Sequence, residues 1–443
     1  MKKYLNSNIN NVRERIEDNS LLDICRKNEN NFTRNRKLPA KKLIYYTLNN
    51  RGKTNKMELY DFNKLYHLDD IDDVSDSALL QQREKLNEEV FKYLAKQSLE
   101  DFYRDFPDEV KTFKGYLVDG IDGSDCEVPN TKETRERYKS INSTDDDRVA
   151  RIKLSNCYDL LNNQVVDTEI AEYKHWELDL AEKHIEHTKY ITEYFPIIYV
   201  MDRGYFSLAK IYHWIKNNVK FVLRLNKKYL KQEQQSMTTN DEIVEIKYQY
   251  DRIRNYKDKD VEFYEYYESG KTISVRMVNI TLPNGEIETL ITNLDFEDFS
   301  TDDMNKIYKL RWGIETSYHE LKESMQVTNI SSSKDTIIKQ EVYAQMMVYN
   351  LVQSIANGLE EEIDQERYKH PMKINFNTAV GFVKRFLIKI LIEEDEDIRK
   401  KLTEELFGNV LKHLIPIRKG RHYERDKNRK VKNKHPINKR KSY

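Results

Sequence analysis

Cysteine is scarce. The chain has three in 443 residues, Cys25, Cys126 and Cys157, far apart and with no Cys-x-x-Cys pair. That spacing argues against a disulfide framework or a cysteine-built zinc site, and it suits a reducing cytoplasm. Long apolar runs are missing too: none reaches the roughly 20 residues that a membrane-spanning helix needs, and the first ten residues contain no apolar signal-peptide core. Nor does charge of one sign dominate, since 75 Lys and Arg offset 75 Asp and Glu. Overall charge therefore announces no polyanionic partner. What remains, 38% hydrophobic and 34% charged residues, describes a soluble globular chain, long enough for roughly two to four domains.

The charge is unevenly placed. Residues 418–443 carry twelve Lys/Arg against Glu424 and Asp426, so the preceding residues carry the compensating negative excess. A second stretch, residues 26–56, holds ten Lys/Arg and one acid, Glu29, interleaved with Phe32, Tyr45 and Tyr46. Clustered cations attract a phosphate backbone by releasing its counterions, even on a neutral molecule. A solvated surface and a disordered tail are the plain alternatives.

Periodicity divides the chain. Residues 1–110 read as a helical N-terminal DNA-binding region. Pro39 suits a first helical position, and Leu38, Leu43, Ile44 and Leu48 form an apolar stripe. A turn through Gly52 and a second helix over 56–65 give a helix-turn-helix outline, and another helix is predicted over 77–106. Residues 111–225 turn to strands: one ending at Asp122-Gly123-Ser124, then 148–157 and 164–173. A helix over 176–193, a short apolar strand over 196–200, a helix over 208–217 and a strand over 221–225 follow. Three adjacent strands followed by helix, strand, helix, strand is the order of a ribonuclease-H-like α/β core, in which the first and fourth strands lie side by side. Residues 226–299 read as a β-rich insertion, with a hairpin turn at Pro283-Asn284-Gly285. Residues 300–330 supply a helix that completes the core, capped by Ser300. Residues 331–417 form a helical C-terminal region, with helices over 335–363 and 377–414, and 418–443 a basic tail.

The densest local pattern runs from Tyr308 to Lys322. At about 100° per residue, a helix places Arg311, Glu315 and Lys322 within roughly 60° of Tyr308. A hydrolytic metal centre on DNA needs that mixture: a carboxylate for a divalent ion, and Arg, Lys and Tyr to grip phosphates. An amphipathic helix in which Arg311 and Glu315 merely pair one turn apart has the same pattern. Two aspartates shift the balance. Asp122 and Asp202 each end a predicted strand, and glycine follows closely, in Asp122-Gly123 and Asp202-Arg203-Gly204. Singly, each is an ordinary turn aspartate; together with Glu315 they form a carboxylate set suited to two Mg²⁺ or Mn²⁺ ions. Asp119 and Asp125 compete for the first position, and Asp122 is preferred because it directly precedes Gly123-Ser124. Trp312 is expected in the core, His319 at the surface within reach of Glu315. His184 and His187 have no acidic or cysteine partner at metal-site spacing.

Three segments resemble the signature regions of bacterial insertion-sequence transposases of the insertion-sequence-four group. They are Ile121-Asp122-Gly123-Ser124-Asp125 with Pro129, Met201-Asp202-Arg203-Gly204-Tyr205, and Tyr308/Arg311/Glu315/Lys322 in the spacing Y-(2)-R-(3)-E-(6)-K. The resemblance spans roughly residues 31–425, including Leu290-Ile-Thr-Asn-Leu294, and the long interval between Asp202 and Glu315 agrees with that group's β-strand insertion. It implies that Asp122, Asp202 and Glu315 are catalytic and bind two Mg²⁺ or Mn²⁺ ions. It implies that Tyr308, Arg311 and Lys322 contact DNA phosphates near the cleaved end. The expected partner is double-stranded DNA, both the element's terminal inverted repeats and the target, handled by a homodimer in a synaptic complex at the cytoplasmic nucleoid of a bacterium or archaeon, with no membrane. The expected function is cut-and-paste transposition by a DDE transposase. Two other readings share parts of this pattern: a ribonuclease-H-like nuclease or resolvase without strand transfer, and a non-catalytic DNA-binding protein derived from a transposase.

Overall fold

The computed structural model describes residues 2–34, 37–65, 74–140, 149–282 and 285–417. The basic tail, and Pro283 and Asn284 of the expected hairpin turn, lie outside the described residues. Eight strands build the central sheet: β1 (Leu117–Glu127), β2 (Arg151–Asp159), β3 (Gln164–Glu172), β4 (Ile197–Met201), β5 (Lys220–Leu225), β6 (Asp241–Ile246), β7 (Ile273–Thr281) and β8 (Ile287–Thr292). Their order is β3-β2-β1-β4-β5-β8-β7-β6. β1, β2 and β3 pair antiparallel, whereas β4 runs parallel to both β1 and β5. The first five strands thus have the ribonuclease-H-like arrangement expected from their order. β4 reads Ile-Ile-Tyr-Val-Met and is buried at every position, as a parallel strand covered on both faces must be.

The segment after β5 continues the same sheet. β8 pairs antiparallel with β5, then β7 with β8 and β6 with β7. Helices Lys231–Ser236, Tyr250–Ile253 and Val261–Glu268 are interspersed with these strands.

One helix, Asp335–Glu360, is the spine of the molecule. It packs against β3 and against helices Lys2–Glu17, Ala40–Leu48, Glu89–Asp105 and Phe376–Ile392. The buried apolar residues accordingly form one cluster, reaching from Tyr4 to Val410. Tyr45 and Tyr46, which stand among cations in the sequence, belong to this core at 1% and 5% exposure. Pro39 precedes the helix Ala40–Leu48 instead of opening it. The turn after that helix depends on Gly52, whose φ is +81° and where a Cβ would run into the Asn329 amide.

Several expected helices are interrupted, each for a local reason. The stretch 77–106 divides into Asp76–Arg83 and Glu89–Asp105. Between them the buried Gln340 amide donates to the carbonyls of Arg83 and Leu86, 2.8 Å away in each case, satisfying helix-end acceptors that another turn would have consumed. The helix beginning at Glu177 ends at His187, where the Thr188 hydroxyl caps the His184 carbonyl at 2.7 Å, and a 3₁₀ turn continues over Lys189–Glu193. Near the C-terminus, Phe376–Ile392 and Glu396–Leu411 are separate helices, the second capped by Asp395. The expected core-completing helix consists of Thr301–Leu310, a slight break at Arg311, Trp312–His319 and a wider π-type turn, Glu320–Ser324.

Candidate active site

The site begins with strand register. In the parallel β1–β4 ladder Ile121 lies opposite Met201. Asp122 and Asp202 each come one residue later, Asp202 just past the end of β4 and Asp122 within β1, which pairs with β2 as far as Glu127 instead of ending at Ser124 as expected. Asp122 Oδ1 accepts the Gly123 N–H at 2.8 Å and Asp202 Oδ1 the Arg203 N–H at 2.7 Å.

Helix Trp312–His319 lies against β1, and small residues permit the approach. A Cβ on Gly313 would stand 3.0 Å from Leu160 Cδ2, and one on Gly120 of β1 3.3 Å from the same atom. The Tyr318 hydroxyl locks the packing by donating to the carbonyls of Asp122 (2.7 Å) and Leu154 (3.1 Å). The helix then presents Glu315, which Arg311 holds from one turn earlier, Nη2 to Oε1 at 2.8 Å. Arg311 is itself buried, with its guanidinium 5.7 Å from the centre of the Tyr308 ring. Its charge acts on Asp122 and on Asp202. Lys322 reaches the other side of Asp122, donating to Ser124 Oγ at 2.6 Å and to the Asp125 carbonyl at 2.8 Å. Asp122, Asp202, Tyr308, Arg311, Glu315 and Lys322 therefore lie in one region, linked through Arg311 and Lys322. Asp122, Asp202 and Glu315 are nevertheless not among the described groups that converge within 4.8 Å.

Three further residues at this place escaped sequence reasoning. Arg224 Nε of β5 stands 3.3 Å from Asp202 Oδ1. The Tyr205 hydroxyl is buried without a hydrogen-bond partner among the described residues. Glu177, the first residue of its helix, extends its carboxylate to Gly123 and Gly204, and its charge acts on Asp122. A signal for Glu177 does exist: glycine one or two positions after each aspartate marks a crowded backbone.

Burial dominates the electrostatics of the site. Burial is the chief cause that lifts the Asp122 carboxyl to about 6; the Gly123 amide and Arg311 oppose the rise, while Glu177 and Asp202 add to it. Burial likewise pushes the Tyr205 phenol well up, and Asp122, Glu177 and Asp202 push it further. Crowded carboxylates and a buried phenol without a partner offer hard oxygen donors, which fit Mg²⁺ or Mn²⁺ and would be relieved by a divalent charge.

Of the rivals for the first acidic position, one is buried in the core and the other is ion-paired beside the site. Asp119 is wholly buried beside Cys157 and Asp159, and burial holds its carboxyl far above the usual range. Asp125 pairs with Lys153 at 2.8 Å. Trp312 is not in the core as expected: it is 56% exposed, because the small Gly313 and Ile314 take the inward positions of that turn. His319 is exposed. His184 is buried between Asp167 and Ser155, at 2.7 and 2.9 Å. His187 does have acidic neighbours, contrary to its sequence spacing, because β3 brings Asp167 and Glu169 to it. Among the described residues these three form a group whose ligand atoms converge within 4.8 Å. Lys92 already serves there as the cation, 2.7 Å from Glu169 and 3.5 Å from Asp167.

Comparison with known proteins bears on the family of the chain. A cryo-EM structure of the piggyBac transposase synaptic complex with hairpin DNA aligns over 91% of this chain and 85% of its own, at TM-score 0.42 and 8% identity. The transposase InsG for insertion sequence element IS4, from Escherichia coli, is 23% identical over 323 residues, which are 72% of this chain and 68% of that protein. The transposase DDE domain family matches residues 119–351, a span that contains all six residues named from the sequence. More than half of the sequence is covered by that match, and the chain belongs to the transposase DDE domain family.

Proposed function

We propose that this protein is the transposase of a mobile element, cutting the element's ends and joining their 3′-hydroxyls to target DNA. Membership of the transposase DDE domain family supports the class of reaction. The observation that carries the residue assignment is the Ile121–Met201 register, which sets Asp122 beside Asp202, with Glu315 delivered by a helix packed on β1.

Asp122, Asp202 and Glu315 are the residues that would hold two Mg²⁺ or Mn²⁺ ions. When bound, such ions supply Lewis-acid stabilisation of the attacking and leaving oxygens. In the first displacement, a water oxygen attacks the phosphorus at the element end and the 3′-oxygen leaves as a hydroxyl. In the second, that hydroxyl attacks a target phosphodiester, forming one P–O bond as another breaks. Arg311 and Lys322 neutralise phosphate charge beside the reacting group, and Tyr308 orders Arg311 through its ring. No covalent protein–DNA bond is needed, so no tyrosine need serve as a nucleophile.

The partners in this reading are terminal inverted repeats and target DNA, brought together by a homodimer at the nucleoid in the cytoplasm. The basic residues of 418–443 and 26–56 add sequence-independent attraction to the backbone. A strand-transfer assay tests the proposal: purified protein, labelled element-end DNA and a target plasmid, with and without Mg²⁺. Joined product that requires Mg²⁺ is expected. Hydrolysis without joining would leave a nuclease, and binding without cleavage would leave a DNA-binding protein.

A further inference from the structure

Glu177 opens the helix that follows β3, and that helix packs on β1, β2, β3 and the turn after Asp202. Its Oε1 accepts from Lys153 Nζ at 3.0 Å, and among the described residues it has no other hydrogen-bond partner. Lys153 does not depend on it, since Asp125 lies 2.8 Å away on the same ammonium. The carboxylate fills the space between two glycines. A Cβ on Gly123 would stand 3.0 Å from Oε1, tighter than an unstrained contact allows, and one on Gly204 would touch Oε2 at 4.0 Å. Those glycines are the ones that follow Asp122 and Asp202.

A second, independent feature points to a ligand at the same place. The Tyr205 hydroxyl, on the turn after Asp202, is 1% exposed as a residue and has no hydrogen-bond partner among the described residues. Asp122, Glu177 and Asp202, opposed by Arg311, are the charges that act on it. A buried hydroxyl left unpaired costs free energy unless something bound there, an ion or its water, completes it. An acid that only anchored the fold would be expected to have its oxygens satisfied by protein donors; this one faces other acids and remains 32% exposed.

We infer that Glu177 is a fourth carboxylate of the metal centre, binding a divalent ion together with Asp122 and Asp202. The inference rests on the transposase reading above and extends its ligand set beyond Asp122, Asp202 and Glu315. Gly123 is then part of the site, because a side chain there would crowd the Glu177 carboxylate, whereas Gly204 only borders it.

The test uses the full chain without DNA, titrated with Mn²⁺ while free Mn²⁺ is followed by electron paramagnetic resonance. Glu177→Gln is expected to weaken Mn²⁺ binding about tenfold or more, a loss of the size seen when groups around a metal are altered. Asp202→Asn serves as the reference and is expected to weaken it as well. Lys153→Met leaves the carboxylate in place and is expected to bind Mn²⁺ at least as tightly as the native protein. Glu177→Gln binding within twofold of native, while Asp202→Asn is impaired, would overturn the inference and leave the transposase reading standing. If neither substitution changes binding, the metal centre itself is misplaced. An equal loss in Lys153→Met would mean that Glu177 acts only by holding the lysine, and would also overturn it. Should Glu177→Gln fail to fold, Glu177→Asp decides: it keeps the charge but withdraws it by one methylene, weakened Mn²⁺ binding is expected, and native affinity would refute the assignment.

Discussion

Arg311 donates to Glu315 from 2.8 Å, so the acid of the site helix is held by a cation one turn away. Such a pair is ordinary on an amphipathic helix. Here it is more than that, because the guanidinium is buried and its charge also acts on Asp122 and Asp202. A buried cation shared among three acids offsets part of their mutual repulsion.

Replacing that cation should therefore have opposite effects on the two ligands. Arg311→Gln is expected to tighten Mn²⁺ binding to the free protein by several-fold. The same change should weaken binding of element-end DNA by about tenfold, the loss of one charge-assisted contact of roughly 1.5 kcal/mol. Parallel titrations with Mn²⁺ and with labelled DNA check this; a loss of both affinities would show that Arg311 supports the fold and not the exchange.

Asp122 gives a pH prediction. Its carboxyl titrates at about 6 in the folded chain, against about 3.9 in an unfolded one. Between these values the folded state binds more protons, so the stability contributed by protonated Asp122 is complete below about 4 and is lost as pH rises towards 6. At pH 7 without divalent ions, Asp122→Asn should melt at a higher temperature than the native protein, and the gap should close at pH 4. Adding Mg²⁺ should stabilise the native protein only. Thermal melts at the two pH values, with and without Mg²⁺, measure this; an Asn variant less stable at pH 7 would contradict it.

Much of this arrangement was legible in the sequence because it is written in local patterns. The continuous apolar run of β4 and the glycines beside Asp122 and Asp202 announce themselves within a few residues. The order of strands then supplied the β1–β4 neighbourhood. Contacts between distant segments were not legible. Glu177 looks like any acid in a first helical turn until β1 and β4 are brought to it. His187 acquires acidic neighbours only across β3, and Trp312 points outwards because its neighbours face the sheet. Tyr45 and Tyr46 were misleading for the same reason, since the helix that buries them begins at Asp335.

Arg83 shows how much of the stability depends on such distant contacts. It is 1% exposed and pairs with Glu341 at 2.8 Å, with Gln340 accepting from its Nε. Removing one partner of a buried pair strands the other, at a cost of about 3–5 kcal/mol. Arg83→Ala should lower the urea midpoint accordingly, and Arg83→Ala with Glu341→Ala should be less harmful than the two losses summed. Strict additivity in a double-mutant cycle would refute the coupling.

Lys322 offers a cleaner probe of DNA contact, since it approaches Ser124 and Asp125 from the surface of the site. Lys322→Ala should weaken binding to all DNA sequences alike and reduce the salt slope by about one. An unchanged slope would remove Lys322 from the phosphate contacts.

The central claim is that Asp122, Asp202 and Glu315 together hold the ions that drive phosphodiester exchange. Asp202→Asn tests it most directly, because the amide keeps the shape of the side chain and removes the charge a cation needs. End cleavage with Mg²⁺ should fall by roughly a thousandfold or more, while element-end DNA is still bound within a few-fold of native affinity. Cleavage by Asp202→Asn at a rate comparable to the native protein would contradict the account.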